Sequence, residues 1–461
     1  MVVAALPPLS RKARASDLIE FSLTSAPLAF SPAPGVQSAG LAFNGSIPGP
    51  VLRVIHGQRM RTTFVNRSQS AGGETIHWHG MILPNAMDGA DGITQSPVPD
   101  GGSFVYEFAP DPPGTRWYHD HVNYGLALGL FGIIIVEDPN EEKADAEFAL
   151  VFHDVPRPGT MESAMRGTSD APMVDPLDSP ELREMKRGDR MGDEVAYVAH
   201  CINGASYPST KPLPVKVGQR VRLRILNANQ TQTRYVRLAG HSLRVTHADG
   251  NPLARPLVVD ALRIGVGERY DAWFEVTQPG AWLLQGLSSD PLAYEQAAVV
   301  YTEGQERATP MGSPQSLEGV DYFTYEKAAG IALPVPPEGG QLYEFTLGGG
   351  EWASSKWTLN GRTYPDTQRI LVNRGDHVAV RFKNTTDMDH PMHLHGHVFA
   401  IAEIDGKRLE RPLAKDMSLV RANGGTLMWR FVADSPPGRW LLHCHNLIHM
   451  MDGMMTEVVY Q

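Results

Sequence analysis

Apolar and polar residues alternate along this chain in short runs. "RVRLRIL" (220–226) and "HVAVRFKN" (377–384) place an apolar residue at nearly every second position. That is the period of a strand with one buried face. The 45 glycines and 36 prolines are spread along the whole length and cut it into short pieces. Few segments carry the helical period. The pattern predicts an all-β chain built of sandwiches or barrels.

The pattern also repeats. Asn44-Gly45 opens "NGSIPGPVLRVIHGQRMRTTFVN", which closes on Asn66. Asn203-Gly204 opens a stretch with Pro208 and "VKVGQRVRLRILN", closing on Asn227. Asn360-Gly361 opens a third, with Pro365 and "ILVNRGDHVAVRFKN", closing on Asn384. Each unit is Asn-Gly, a proline, a strand, a glycine turn (Gly57, Gly218, Gly375), a second strand and an asparagine. Three copies of one β domain are implied, each of ordinary domain size. The boundaries fall near "EDPNEEKAD" (137–145) and in the Pro/Gly-rich stretch from Gly304 to Gly340, giving domains at 1–140, 141–305 and 306–461.

Charge and composition narrow the class. A net charge of −10 argues against nucleic acid or an anionic membrane surface as the main partner. No run of eighteen apolar residues exists to span a membrane. The start, "MVVAALPPLSRKARASD", does not read as an export signal, because Arg11, Lys12 and Arg14 follow the apolar part. Cys201 and Cys444 are the two thiols. If Cys444 is a ligand, no internal disulfide forms, and Cys201 beside His200 packs in a strand.

Histidine placement carries the chemistry. Eleven of the seventeen histidines fall in four segments: "HWHG" (His77, His79), "WYHDH" (His119, His121), "HPMHLHGH" (His390, His393, His395, His397) and "HCHNLIH" (His443, His445, His449). Two segments lie in the first repeat and two in the third, so their ligands would meet across the contact between those domains. Histidines two apart on a strand face one side. Four such pairs supply eight imidazoles, too many for one metal and about right for three; neutral imidazole suits copper, zinc, iron and nickel. Cys444 then points to the opposite face. His449, Met454 and His390 are its available partners. Two His, one Cys and a weak axial Met describe a blue-copper electron-transfer site. A four-Cys zinc site is excluded by the cysteine count.

At these residues the sequence resembles the three-domain multicopper oxidases: laccases, bilirubin oxidases and bacterial copper-efflux oxidases. The resemblance covers nearly the whole chain and all four motifs. It implies three cupredoxin-like Greek-key domains and four copper ions. By position, the type 1 copper would be held by His390, Cys444, His449 and axial Met454. The type 2 copper would take His77 and His393. One type 3 copper would take His79, His119 and His445, and the other His121, His395 and His443. His397 is usually not a ligand. The implied reaction is four one-electron oxidations at the type 1 site, with electrons passing through Cys444 to the trinuclear cluster, where O2 becomes two waters. An axial Met implies a low or moderate type 1 potential. Asp88 in "MDGADG" fits the family's proton-delivering acid, or else is a turn residue before Gly89. A second acid often follows the last type 1 histidine. Here that position is Met450, a departure, with Asp452 two residues on.

The resemblance implies O2 and a small reductant as partners. A phenol or aromatic amine at an open type 1 edge would make the protein a laccase. Cu(I) at a methionine- and acid-lined port would make it a metallo-oxidase. The stretch 305–355 holds a single methionine, Met311, which favours an open edge. Met161, Met165, Met173, Met185 and Met191, with Asp170, Asp175, Asp178 and Glu181, read as an exposed loop whose methionines pack beneath it, the alternative being a Cu(I) delivery patch. Met450, Met451 and Met455 read as packing. Asp416 in "LAKDM" matches a family position near the type 1 pocket, where it would accept a proton or hydrogen bond from a phenol, or else is a turn residue. The remaining alternatives are a cupredoxin-fold protein without enzymatic activity and a two-domain copper nitrite reductase. The family implies a periplasmic or secreted protein, for which a monomer suffices.

Overall fold

A computed structural model describes residues 17–160, 195, 197–287, 296–312, 319–328, 340–350 and 356–461. The five methionines and four acids of the 161–191 stretch lie outside the described residues. The described chain is almost entirely strand, with short helices at Gly125–Leu128 and Leu447–Met451. Among the described residues no helix is long and apolar enough to cross a membrane.

Six sheets pack as three pairs. The first pair has four strands in each sheet and draws on residues 18–137. The second has six in each and draws on 146–323. The third pairs a six-stranded with a five-stranded sheet from 341–460. Alternation sets the inward face: Arg59–Asn66 buries every second residue. Each domain is therefore a sandwich of the cupredoxin kind, as the alternation implied.

The three Asn-Gly turns are superposable in detail. Asn44, Asn203 and Asn360 all have φ 52°, and each following glycine has positive φ. Asparagine and glycine are the residues that tolerate this left-handed pair, which is why the motif is Asn-Gly. Each turn asparagine bridges the same neighbouring strand twice. Asn44 Nδ2 donates to Ser22 O and its Oδ1 accepts from Thr24 N. Asn203 does the same with Ala149 and Val151, and Asn360 with Glu344 and Thr346. The closing asparagines Asn66, Asn227 and Asn384 are fully buried and donate to backbone carbonyls.

One apolar cluster runs unbroken from the first domain (Phe43, Phe64, Trp78) into the third (Trp429, Trp440, Leu442). The second domain has its own core. The histidine-bearing strands sit where the first and third domains meet.

Candidate metal centre

The strand His77–His79 pairs with Gly114–His119, His77 facing His119. In the third domain His390–Leu394 pairs with Arg439–Cys444, His393 facing His443. The two strand pairs bring eight histidines to one buried point. His79, His119 and His445 form one group of three, His121, His395 and His443 a second, and His77, His79 and His393 a third. Within each group the ligating atoms lie within 4.8 Å of one another. The rings of His77 and His395 stack at 3.8 Å, and those of His79 and His393 at 3.6 Å.

Hydrogen bonds on the outer side fix which nitrogen faces in. Nδ1 of His77 donates to Asp88 O, of His119 to Asp120 O, of His393 to Asp416 O and of His443 to Cys444 O, at 2.7–2.9 Å. Nδ1 of His395 donates to Asp88 Oδ2 at 2.8 Å. A carbonyl can only accept, so these protons sit on Nδ1 and the Nε2 lone pairs point inward. His79 is turned the other way: its Nε2 meets Asp416 Oδ1 at 3.2 Å, and its Nδ1 faces in. The inward atoms His79 Nδ1 and Nε2 of His119, His121 and His445 have no hydrogen-bond partner. Buried nitrogens are rarely left so. Burial, and then neighbouring imidazoles, hold His79, His119, His393, His395, His443 and His445 neutral, well below the usual histidine range. His121 is lowered to about 3. A pocket of neutral imidazoles with converging lone pairs fits transition-metal ions.

A second site lies on the other face of the Cys444 strand. Cys444 Sγ is 3.6 Å from His390 Nδ1 and 3.5 Å from His449 Nδ1, and those two nitrogens are 3.0 Å apart. His390 Nε2 is held by Thr386 Oγ1 at 2.8 Å. Asn446 caps the short helix that presents His449, its side chain accepting from Ile448 N. Met454 is fully buried; its carbonyl accepts from Cys444 N and its N–H donates to His449 O. A thiolate and two imidazoles this close suit copper. His443 and His445 flank Cys444 and face the eight-histidine pocket, so one residue joins the two sites covalently.

Two expectations need revising. The edge of the Cys444 site is not open. His449 is fully buried, and the Trp357 ring lies against it, tilted by 31° with centroids 3.7 Å apart, and meets His390 edge-on at 5.3 Å. Gly350 makes this possible, since a Cβ there would lie 2.1 Å from the indole. Asp416 does not reach a phenol at that edge. It is fully buried beside His79 and His393, in a bidentate pair with Arg269 (2.6 Å and 2.6 Å) and with Arg116 at 3.3 Å. Asp88 is fully buried and hydrogen-bonds two of the histidines. Met450 packs at the edge of the apolar cluster around Leu447 and Ile448. Asp452 forms the helix C-cap. His397 donates to His395 O and contacts Tyr460 Oη.

Trp357, Arg116 and Arg269 were missed in the sequence, as was Asp120, whose carboxylate accepts from Thr75 N and Val122 N. A signal existed for Trp357. Three residues before each repeat asparagine stand Leu41, His200 and Trp357, so the third copy departs from the other two in bulk.

Comparison with known proteins agrees. Three multicopper oxidase family models match residues 26–141, 178–303 and 334–461. The multicopper oxidase MmcO of Mycobacterium tuberculosis is 34% identical over 91% of this chain and 83% of its own length. A laccase of Cryphonectria parasitica is 26% identical over 98% and 83%, and copper resistance protein A of Pseudomonas syringae pv. tomato 24% over 92% and 90%. In structure, the laccase from Botrytis aclada matches with a TM-score of 0.80 at 23% identity, over 96% of this chain and 88% of that one. The multicopper oxidase from Pseudomonas thermotolerans matches at 0.70 and 24%, over 97% and 100%. The chain belongs to the multicopper oxidase family and is a laccase-like oxidoreductase.

Proposed function

We propose that this enzyme oxidises phenols and aromatic amines one electron at a time and reduces O2 to two waters, with four coppers bound in one chain. The observation that carries the reading is the pair of donor sets joined through Cys444. His390, Cys444, His449 and Met454 would hold the type 1 ion, His77 and His393 the type 2, and the two groups of three the type 3 pair. Bound copper would supply the redox chemistry: single-electron oxidation at the first site and four-electron reduction of O2 at the second. The chain's own residues do the rest. The short covalent path through Cys444 fixes the distance the electron crosses. Asp88, in contact with His395 and His77, is placed to supply protons as O2 is reduced. The indole of Trp357 keeps water from His449, so a reductant gives up its electron across that ring. A monomer holds every ligand. Export to the periplasm or beyond is proposed from the family.

A second reading, Cu(I) oxidation in copper tolerance, is favoured by the similarity to copper resistance protein A. Oxygen uptake by copper-loaded protein separates the two. A methoxyphenol and weakly chelated Cu(I) are each offered, with Cys444→Ser as control. Fast phenol oxidation without added Cu(II) is expected. Phenol turnover that needs added Cu(II), with fast Cu(I) oxidation, would establish the metallo-oxidase. Uptake no greater than the Cys444→Ser control with either would overturn both.

A further inference from the structure

The second domain supplies none of the four histidine motifs, yet one of its residues reaches the cluster at one remove. Arg269 is fully buried and forms a two-pronged pair with Asp416 of the third domain. Arg116 of the first domain adds a contact at 3.3 Å. Asp416 Oδ1 then faces His79 Nε2 at 3.2 Å. Arg269 is itself tied down: its backbone N–H donates to Asp249 Oδ1 and its Nη1 to Gly267 O. Gly80, next to His79, leaves room for this pair; a Cβ there would lie 2.5 Å from both Arg269 Nη2 and Asp416 Oδ2.

His79 is also the imidazole that presents Nδ1 inward where His77, His119, His393, His395 and His443 present Nε2. An acceptor at Nε2 is what selects that tautomer. We propose that Asp416, held by Arg269 of the second domain, is a positioning residue that fixes His79 with Nδ1 toward the cluster, so that all three domains set the geometry of one type 3 ligand. The proposal rests on the copper-cluster reading above.

Substituting Asp416→Asn tests it. Oδ2 meets two guanidiniums and Oδ1 one, so the amide oxygen takes the Oδ2 place. The NH2 then faces His79 Nε2, favouring the tautomer whose proton sits on the inward Nδ1. That tautomer cannot bind a metal through Nδ1. Asp271→Asn is the control. Asp271 is equally buried, pairs with Arg222 and Arg224, and receives the Thr115 hydroxyl, away from His79. Arg269→Lys, which loses the two-pronged grip but keeps Asp416, serves if Asp416→Asn does not fold.

The readouts are copper per chain, thermal unfolding of the copper-free chain, and electron paramagnetic resonance, in which a coupled Cu(II) pair is silent. The expected result for Asp416→Asn is about 10- to 100-fold weaker copper binding at the type 3 pair, with new signal from the uncoupled ion. Arg269→Lys shows the same in smaller degree. Asp271→Asn loses thermal stability but keeps full copper and a silent pair. Copper content and resonance unchanged in both Asp416→Asn and Arg269→Lys would overturn the proposal. So would the same loss in Asp271→Asn, which would mean the ion pairs only hold the domains together. A wild-type chain that binds no copper would instead overturn the functional reading.

Discussion

The second and third domains build the same strand pair and use it differently. In the third, Arg439–Cys444 pairs with His390–Leu394, and Met392 faces Cys444. In the second, Ala281–Leu287 pairs with Arg234–Leu238, and Val236 faces Gly286. The sequences run in step: "WLLHCH" from Trp440 against "WLLQGL" from Trp282. Gln285 stands where His443 is, Gly286 where Cys444 is, and Arg234 where His390 is. Arg234 fills its place with a buried pair to Asp154 and a hydrogen bond to Gln296, so charge and hydrogen bonds replace the metal. The first domain is intermediate: Asp120 takes the cysteine position, between His119 and His121. One scaffold thus gives a two-faced site, a one-faced site or none, depending on a few residues at one strand end.

The largest effect expected is the loss of that distinction at Cys444. Cys444→Ser should abolish the intense blue absorption and bring oxygen uptake down to that of the copper-free chain. Copper at the eight histidines should remain. If the blue colour survived, the thiolate would not be a ligand and the comparison between strand ends would fail.

Next, Trp357→Ala removes the indole that lies against His449. Emptying this buried indole site should cost about 3–5 kcal/mol. The KM for a bulky phenol should fall as the imidazole edge becomes reachable, read from steady-state kinetics and unfolding side by side. An unchanged KM would mean that reductants do not approach across Trp357. In the second domain, Gly286→Ala probes the converse. A Cβ there would lie 2.5 Å from Gln296 Oε1 and 2.7 Å from the Phe152 ring. Overpacking should cost about 1–3 kcal/mol with copper content unchanged. A gain in copper would show that the second domain retains a latent site.

Acid should separate the copper-free and copper-loaded chains. Burial holds His79, His119, His390, His393, His395, His443 and His445 neutral, and His121 titrates near 3 in the fold against about 6.5 unfolded. Between those values the unfolded chain binds more protons, so stability rises with pH there and falls as pH drops below about 6.5. The slope is about 1.4 kcal/mol per pH unit for each such histidine. Bound metal competes with those protons. Urea midpoints of the copper-free chain should therefore fall steeply from pH 6.5 to 4.5, and those of the loaded chain less. Equal slopes would mean that metal does not occupy the imidazoles.

The histidine pairs were legible because strand geometry is local: residues two apart must share a face. The repeat was legible because left-handed Asn-Gly turns leave a fixed imprint. Trp357 and Arg269 were not, because each acts on a ligand far away in sequence. Nothing near "GERYD" says that its arginine meets an aspartate 147 positions later. Asp416 shows the same limit from the other side. Its motif was noticed, but its surroundings come from three domains, and sequence placed it beside the Cys444 site when it lies beside His79 and His393.

The smallest effect expected tests whether the three copies are equivalent as scaffold. Asn44→Gly, Asn203→Gly and Asn360→Gly each keep the positive φ, which glycine adopts freely. Each loses the same two hydrogen bonds to the neighbouring strand. These turns are partly wet, so water replaces much of what is lost, and a cost of about 1 kcal/mol is expected at all three. Differential unfolding measures it, and the blue absorption should not change in any of them. The third position is the informative one, because Asn360 follows Trp357 by three residues. A blue band that shifted in Asn360→Gly alone would show that the repeat turn in that copy also sets the indole over His449. Three equal costs with unshifted spectra would show that the turns only build the sandwich, and that the difference between the domains lies wholly at their strand ends.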